Sequence, residues 1–322
     1  MGGVCCPSPR QGGLDIGSVG SPCSMDEPTT PVVRKVDTQL VRNLGSRLQK
    51  VMGEPFNDVL RLDIRRRTHH SRTGPRHLLP ELLESSLVAV RELEGGQEST
   101  HLGDIVTLHA LASTFERMVD DPGFPLMRPG LKDPLRFRHD VVTLGFVDHL
   151  RRSTPYTVGL PTNSHAHRRS YDFDLTNDSG SRVEFETKAP EELEGPTKSV
   201  SEEGARWAVE KSWRKAVGRN KQLKGDSSGA LLLGGVTMQL QSLLTIQRAA
   251  LDFLEKRGGA HHNFWGIVVF TMAVLRDKHG DVGVGLSLGS SLELKSWVQT
   301  AMARNPHYSG PVEIVPTPSK FD

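Results

Sequence analysis

The 322-residue chain has only three cysteines, Cys5, Cys6 and Cys23, all among its first 23 residues. No disulfide can therefore staple the body of the protein, and no cysteine spacing suits a zinc site. A reducing, cytoplasmic setting is the expectation. Long apolar runs are missing as well. No stretch approaches the roughly 20 residues that cross a bilayer, and the first residues lack the apolar core of a signal peptide. Met1-Gly2-Gly3-Val4-Cys5-Cys6 lacks the Ser or Thr at position 6 that N-myristoylation favours. Excess charge is also absent. Forty Lys and Arg against 38 Asp and Glu leave a net +2, so any affinity for nucleic acid must come from local patches.

Hydrophobic residues make up 36% of the chain, enough for a core, and the length suits one large domain or two modest ones. Residues 1–36 read as a Gly/Pro/Ser-rich disordered tail. Residues 37–130 read as a helical region: Leu40, Leu44, Leu48 and Val51 recur at helical spacing, as do Leu79, Leu83, Leu87 and Val90, then Ile105, Leu108, Ala112, Phe115 and Met118. Two basic patches stand out. Arg61 to Arg76 contains Arg65-Arg66-Arg67, and His165 to Arg169 ends in Arg168 and Arg169. A solvated face explains the first equally well.

The second patch adjoins the segment that carries chemistry. Tyr171, Phe173 and Leu175 alternate with Asp172 and Asp174; after a turn, Val183, Phe185 and Thr187 alternate with Glu184, Glu186 and Lys188. Such alternation predicts a β-hairpin with one apolar and one polar face. Asp178-Ser179-Gly180 fits a three-residue loop with glycine in the left-handed position. Asp174 would then face Glu184, and Asp172 would face Glu186. A two-residue loop would put the aspartates on the other side from Glu186 and Lys188. Crowded carboxylates repel one another unless a cation sits among them, and magnesium is commonly held by one or two of them. The competing explanation is a solvent-facing hairpin, charged because it is wet.

Helical spacing over 135–150 precedes the hairpin, followed by a short apolar run from Pro155 to Leu160. After it, a helix is predicted over 204–224. Val209, Trp213, Ala216, Asn220 and Leu223 form its inner stripe, and Lys211, Lys215, Arg219 and Gln222 another face. The continuous run Ala230 to Val236 predicts a strand covered on both sides. Further on, a helix is expected over 244–256, strands over 264–275 and 282–288, and a closing helix from Ser291 to Arg304.

The order helix, strand, strand, strand, helix, strand, with Asp on the second strand and Glu-x-Lys on the third, resembles the PD-(D/E)XK nuclease superfamily. The likeness spans residues 134–238. The superfamily's proline before the aspartate is replaced by Ser170-Tyr171, which leaves open whether Asp172 or Asp174 is its counterpart. The resemblance implies an α/β, restriction-endonuclease-like core over 131–322. It implies Mg2+ or Mn2+ held by Asp174 (or Asp172), Glu186 and the carbonyl of Thr187, with Lys188 positioning a water. Lys211, Lys215, Arg219, Gln222, Arg168 and Arg169 would contact substrate, a nucleic acid, DNA before RNA. A non-catalytic binding module on the same fold is the alternative.

Other motifs weigh less. Gly285-Leu286-Ser287-Leu288-Gly289 matches the nucleophile elbow, but only Glu293 and His307 follow in the required order. No lysine-bearing phosphate loop follows Gly234-Gly235. His165 and His167 lack a third nearby ligand.

Overall fold

The computed structural model of the chain describes residues 33–68, 76–97, 99–162, 171–193, 199–217, 223, 228–275, 291–293 and 299–309. Arg168, Arg169, Arg219, Gln222, His165, His167, the strand expected over 282–288 and the Gly285 to Gly289 motif lie outside the described residues.

A short strand, β1 (Val33–Lys35), leads into helices α1 (Thr38–Met52), α2 (Glu54–Thr68), α3 (Leu78–Glu94), α4 (Leu102–Met118), α5 (Phe124–Met127) and α6 (Phe137–Ser153). Two predicted stripes are buried throughout: Leu40, Leu44, Leu48 and Val51 on α1, and Ile105, Leu108, Ala112, Phe115 and Met118 on α4; on α3, Leu79 and Val90 are buried while Leu83 and Leu87 are half-buried. Asp37 starts α1 by accepting a hydrogen bond from the Leu40 amide at 2.9 Å, one of the donors a helix start leaves without a helical partner.

The remaining elements are β2 (Thr157–Gly159), β3 (Phe173–Thr176), β4 (Arg182–Lys188), α7 (Glu202–Ala216), β5 (Gly229–Gln239), α8 (Leu240–Arg257), β6 (Phe264–Leu275), β7 (Ser291–Glu293) and β8 (Gln299–Arg304). The protein is α/β, with an open mixed sheet in the order β2-β3-β4-β5-β6-β8 flanked by helices. β4, β5 and β6 run parallel; β2, β3 and β8 are antiparallel to their neighbours. Parallel neighbours need crossovers, and α7 and α8 supply them.

Two apolar layers cover the sheet. Leu232, Val236, Val268 and Phe270 pack with α6 and the N-terminal helices. Leu231, Leu233, Ile267 and Val269 pack with Val209 of α7 and Ile246 and Leu254 of α8. β5 is buried along its whole length, as its unbroken apolar run requires. A Cβ on Gly234 would stand 2.2 Å from Val142 Cγ1, so glycine is what lets α6 settle against β5 there.

Three sequence expectations change. The closing helix from Ser291 to Arg304 is replaced by strands: β7 pairs with β1, and β8 pairs with the edge of β6. In β8, Ala301 and Ala303 are buried while Thr300 and Met302 are less so, a period-two pattern that the long apolar edge of β6 imposes. The helix over 204–224 ends at Ala216, because Val217 is extended. Residues 33–35, expected in the tail, form β1. Among the described residues no helix is long and apolar enough to cross a membrane.

Candidate functional site

The hairpin forms with the three-residue loop. Asn177 and Ser181 close it through the Asn177 amide on the Ser181 carbonyl at 3.0 Å. The Asn177 side chain also accepts from the Ser181 amide at 2.9 Å. Gly180 sits at φ +77°, where a side chain is disfavoured. The register follows: Thr176 opposite Arg182, Leu175 opposite Val183, Asp174 opposite Glu184, Phe173 opposite Phe185. Its apolar side is anchored on α6. Phe173 and Phe185 stack at 4.6 Å between centroids, and Phe146 of α6 meets both edge-on or tilted. Each such buried ring stabilises by roughly 1.5–3 kcal/mol, which outweighs the few tenths to 1 kcal/mol that a like-charged cross-strand pair costs.

Regular pairing stops one residue before Asp172. The Asp172 amide donates to the Phe185 carbonyl at 2.8 Å, although Phe185 is already the partner of Phe173. Two residues thus oppose one, the pattern of a β-bulge, which re-aims the side chain at the extra position. Asp172 therefore does not face Glu186 as strict alternation demands. Its Oδ2 accepts from the Thr187 amide at 2.7 Å and from His139 Nε2 at 3.1 Å. His139 comes from the first turn of α6, and its Nδ1 donates to Asp140 Oδ1 at 2.9 Å. An imidazole that donates from both nitrogens to carboxylates is an imidazolium. The Thr143 and Thr187 hydroxyls, 2.9 Å apart, tie α6 to β4 beside it.

Glu186 and Lys188 belong to the same cluster. Glu186 is 0% exposed. Its Oε1 accepts from the Lys188 ammonium, and its Oε2 has no hydrogen-bond partner. Burial, then the Asp172 charge, pushes its carboxyl up to about 8, with Lys188 and His139 pulling the other way. Asp172 is 4% exposed. Burial would raise its carboxyl, but His139, the Thr187 amide and Lys188 together hold it below the usual carboxylate range. Burial would depress His139, but Asp172 and Asp140 raise it to about 10. Two cations and three carboxylates are thus packed into one buried patch at the end of β3.

The sequence-predicted residues divide clearly. Asp172, Glu186, Thr187 and Lys188 come together. Asp174 does not join them: its carboxylate pairs with Arg182 at 2.5 Å, and the charges acting on Glu186 are those of Asp172, Lys188 and His139. Asp174 keeps the regular pleat, and the pleat turns it toward Arg182 across the strand pair. Lys211 donates to Glu192 at 3.1 Å, just beyond β4, and lies 3.9 Å over the Trp207 ring. Lys215 acts on the same Glu192 carboxylate. His139 and Asp140 are the residues the sequence reading missed. Their signal is an adjacent His-Asp pair at a helix start, which has no meaning until that turn is known to lie over the end of β3.

The donor set fits a hard divalent cation in one respect. A buried carboxylate oxygen without a partner beside a second carboxylate is what such an ion satisfies. Among the described residues, no group of three or more His, Cys, Asp and Glu side chains is gathered as a ready-made metal site; the two carboxylates would need the Thr187 carbonyl, water or substrate to complete a shell. No family model, no curated protein and no solved structure matches this chain.

Proposed function

We propose that the protein is a metal-dependent nuclease that hydrolyses phosphodiester bonds in nucleic acid, with DNA as the expected substrate and a restriction-endonuclease-like core. The observation that carries this reading is the unpartnered, buried Oε2 of Glu186 beside Asp172 and Lys188. The order α6, β2, β3, β4, α7, β5 in a mixed sheet supports it. Asp172, Glu186 and the Thr187 carbonyl would hold Mg2+ or Mn2+, an ion that polarises a phosphate oxygen and lowers the pKa of bound water.

The chain's own groups do the rest. Asp172 is held in place by the Thr187 amide and by His139, so its carboxylate is oriented before any ligand arrives. Lys188 reaches Glu186 across one residue of the strand and is 21% exposed, open enough to meet a water or a phosphate oxygen. Its ammonium would orient the attacking water and offset negative charge developing on phosphorus. Lys211 and Lys215 flank the exit of β4, where a phosphate could displace Glu192.

The second reading, a non-catalytic binding module, draws on a different observation. Every charge in the cluster except one Glu186 oxygen and one Asp140 oxygen has a partner, which is also how a purely structural ion network looks. Cleavage of linear, branched and single-stranded DNA and of RNA, with and without magnesium, separates the two.

A further inference from the structure

The basic segment around Arg61 acquires a setting in the fold. α2 and the turn before α6 enclose a groove of about 510 Å³ lined by Arg61, Arg65, Lys132, Asp58 and Asp133, with Leu62 and Pro129 as its apolar wall. Leu62 is 45% exposed, an apolar surface of the kind a sugar or base can cover. A crevice of only about 10 Å³ adjoins it between Arg66 and His77.

The groove wall adjoins the site already described: Gly130, next to Pro129, packs so closely on Asp140 that a Cβ there would stand 1.6 Å from its Oδ2, and Asp140 accepts from His139, which also binds Asp172. The His77 ring packs 4.4 Å from Phe137, the first residue of α6. Burial first, and then the nearby Arg138 and Arg66 charges, lower His77 to about 4, so His77 is neutral and the positive potential there comes from the two guanidiniums. The cations of the groove are Arg61, Arg65 and Lys132, and Arg136 adds another at Asp140, 3.6 Å away.

We infer that this groove holds the phosphate backbone of a nucleic-acid strand and directs it to the Asp172 cluster. The inference deepens the nuclease reading and rests on it. Charge complementarity selects the occupant: three cations and two carboxylates line the groove, a net +1, and one of those carboxylates, Asp58, is held to its cation only by a weak contact. Lys132 meets Asp58 at 3.4 Å with both side chains exposed, a pair worth little and readily exchanged for a phosphate. The net charge of the chain is too small to attract nucleic acid in bulk, so a localised groove is where binding must concentrate.

The experiment is fluorescence anisotropy with labelled single-stranded and duplex DNA across a salt series, run beside magnesium-dependent cleavage of the same DNA. The proteins are wild type, Arg61→Ala/Arg65→Ala, Arg61→Gln/Lys132→Gln, and Arg248→Ala on α8 across the sheet as a control. The groove variants should bind roughly tenfold or more weakly, with a log–log salt slope shallower by about two on duplex DNA. Arg248→Ala should bind as wild type does. Circular dichroism and melting confirm the fold, and the second groove pair stands in if Arg65 proves structural. Unchanged affinity and slope in both groove variants, with cleavage intact, overturns the groove and leaves the nuclease reading standing. Lost binding in the groove variants with no cleavage by wild type keeps the groove and ends the hydrolytic reading. A wild type that binds no nucleic acid ends both.

Discussion

Asp172 lies opposite Phe185, not Glu186: its amide donates to the Phe185 carbonyl at 2.8 Å while its carboxylate accepts from the Thr187 amide at 2.7 Å. The bulge thereby separates two aspartates that look equivalent in sequence. One is fixed beside Glu186 and Lys188, and the other stays in the pleat with Arg182.

That separation predicts unequal effects of two like substitutions. Asp172→Asn should abolish the rise in melting temperature caused by Mg2+ or Mn2+, since a ligand that binds only the folded state raises its stability. Asp174→Asn should retain that rise. It should lower stability by about 1 kcal/mol or less, because its partner Arg182 is well exposed. A lost metal response in Asp174→Asn with a kept response in Asp172→Asn would reverse the assignment.

Glu186→Gln should remove the metal response and leave the metal-free protein as stable as wild type or more so. The carboxylate is fully buried, one oxygen has no partner, and Asp172 repels it; an amide keeps the shape without the charge. Scanning fluorimetry in EDTA and then in magnesium reads both effects. A large destabilisation in EDTA would mean that the Lys188 pair outweighs the repulsion.

Metal-free stability should fall as pH rises from about 5 to 10. The sign comes from two raised groups. Glu186, raised to about 8, keeps its proton in the folded state across a range where the unfolded chain has lost it, so its ionisation destabilises from about pH 4.5 up to 8. His139, raised to about 10, contributes stability that is complete below about 6.5 and lost as pH climbs through 10. Asp172, lowered, acts in the opposite sense, but only in acid below its usual range. Glu186→Gln should flatten the lower part of the slope and His139→Gln the upper part. Melting curves in EDTA across that range test this, and a wild-type stability that rises from pH 6 to 9 would contradict it.

The hairpin was legible in sequence because its signals are local. Alternation gives the strands, and Asp178-Ser179-Gly180 gives the loop and so the register. β5 and β6 were legible for the same reason, being long apolar runs. The bulge at Asp172 was not, since it depends on the Thr187 amide and on His139 from a helix more than 30 residues upstream. β8 was missed because an alanine-rich segment takes the structure of what it pairs with, and β6 offers an edge. The choice between Asp172 and Asp174, left open by the missing proline, required the tertiary contacts.

The most direct measurement is magnesium-dependent cleavage of DNA by wild type and by Lys188→Ala. In the proposed mechanism Lys188 acts on the attacking water and the transition state, and such interactions govern rate more than ground-state affinity. The account predicts metal-dependent cleavage by wild type, lost on the order of a hundredfold or more in Lys188→Ala, with the fold intact and much of the DNA binding kept. Equal cleavage by the two proteins, or no cleavage of any DNA or RNA by a wild type that binds them, would contradict it.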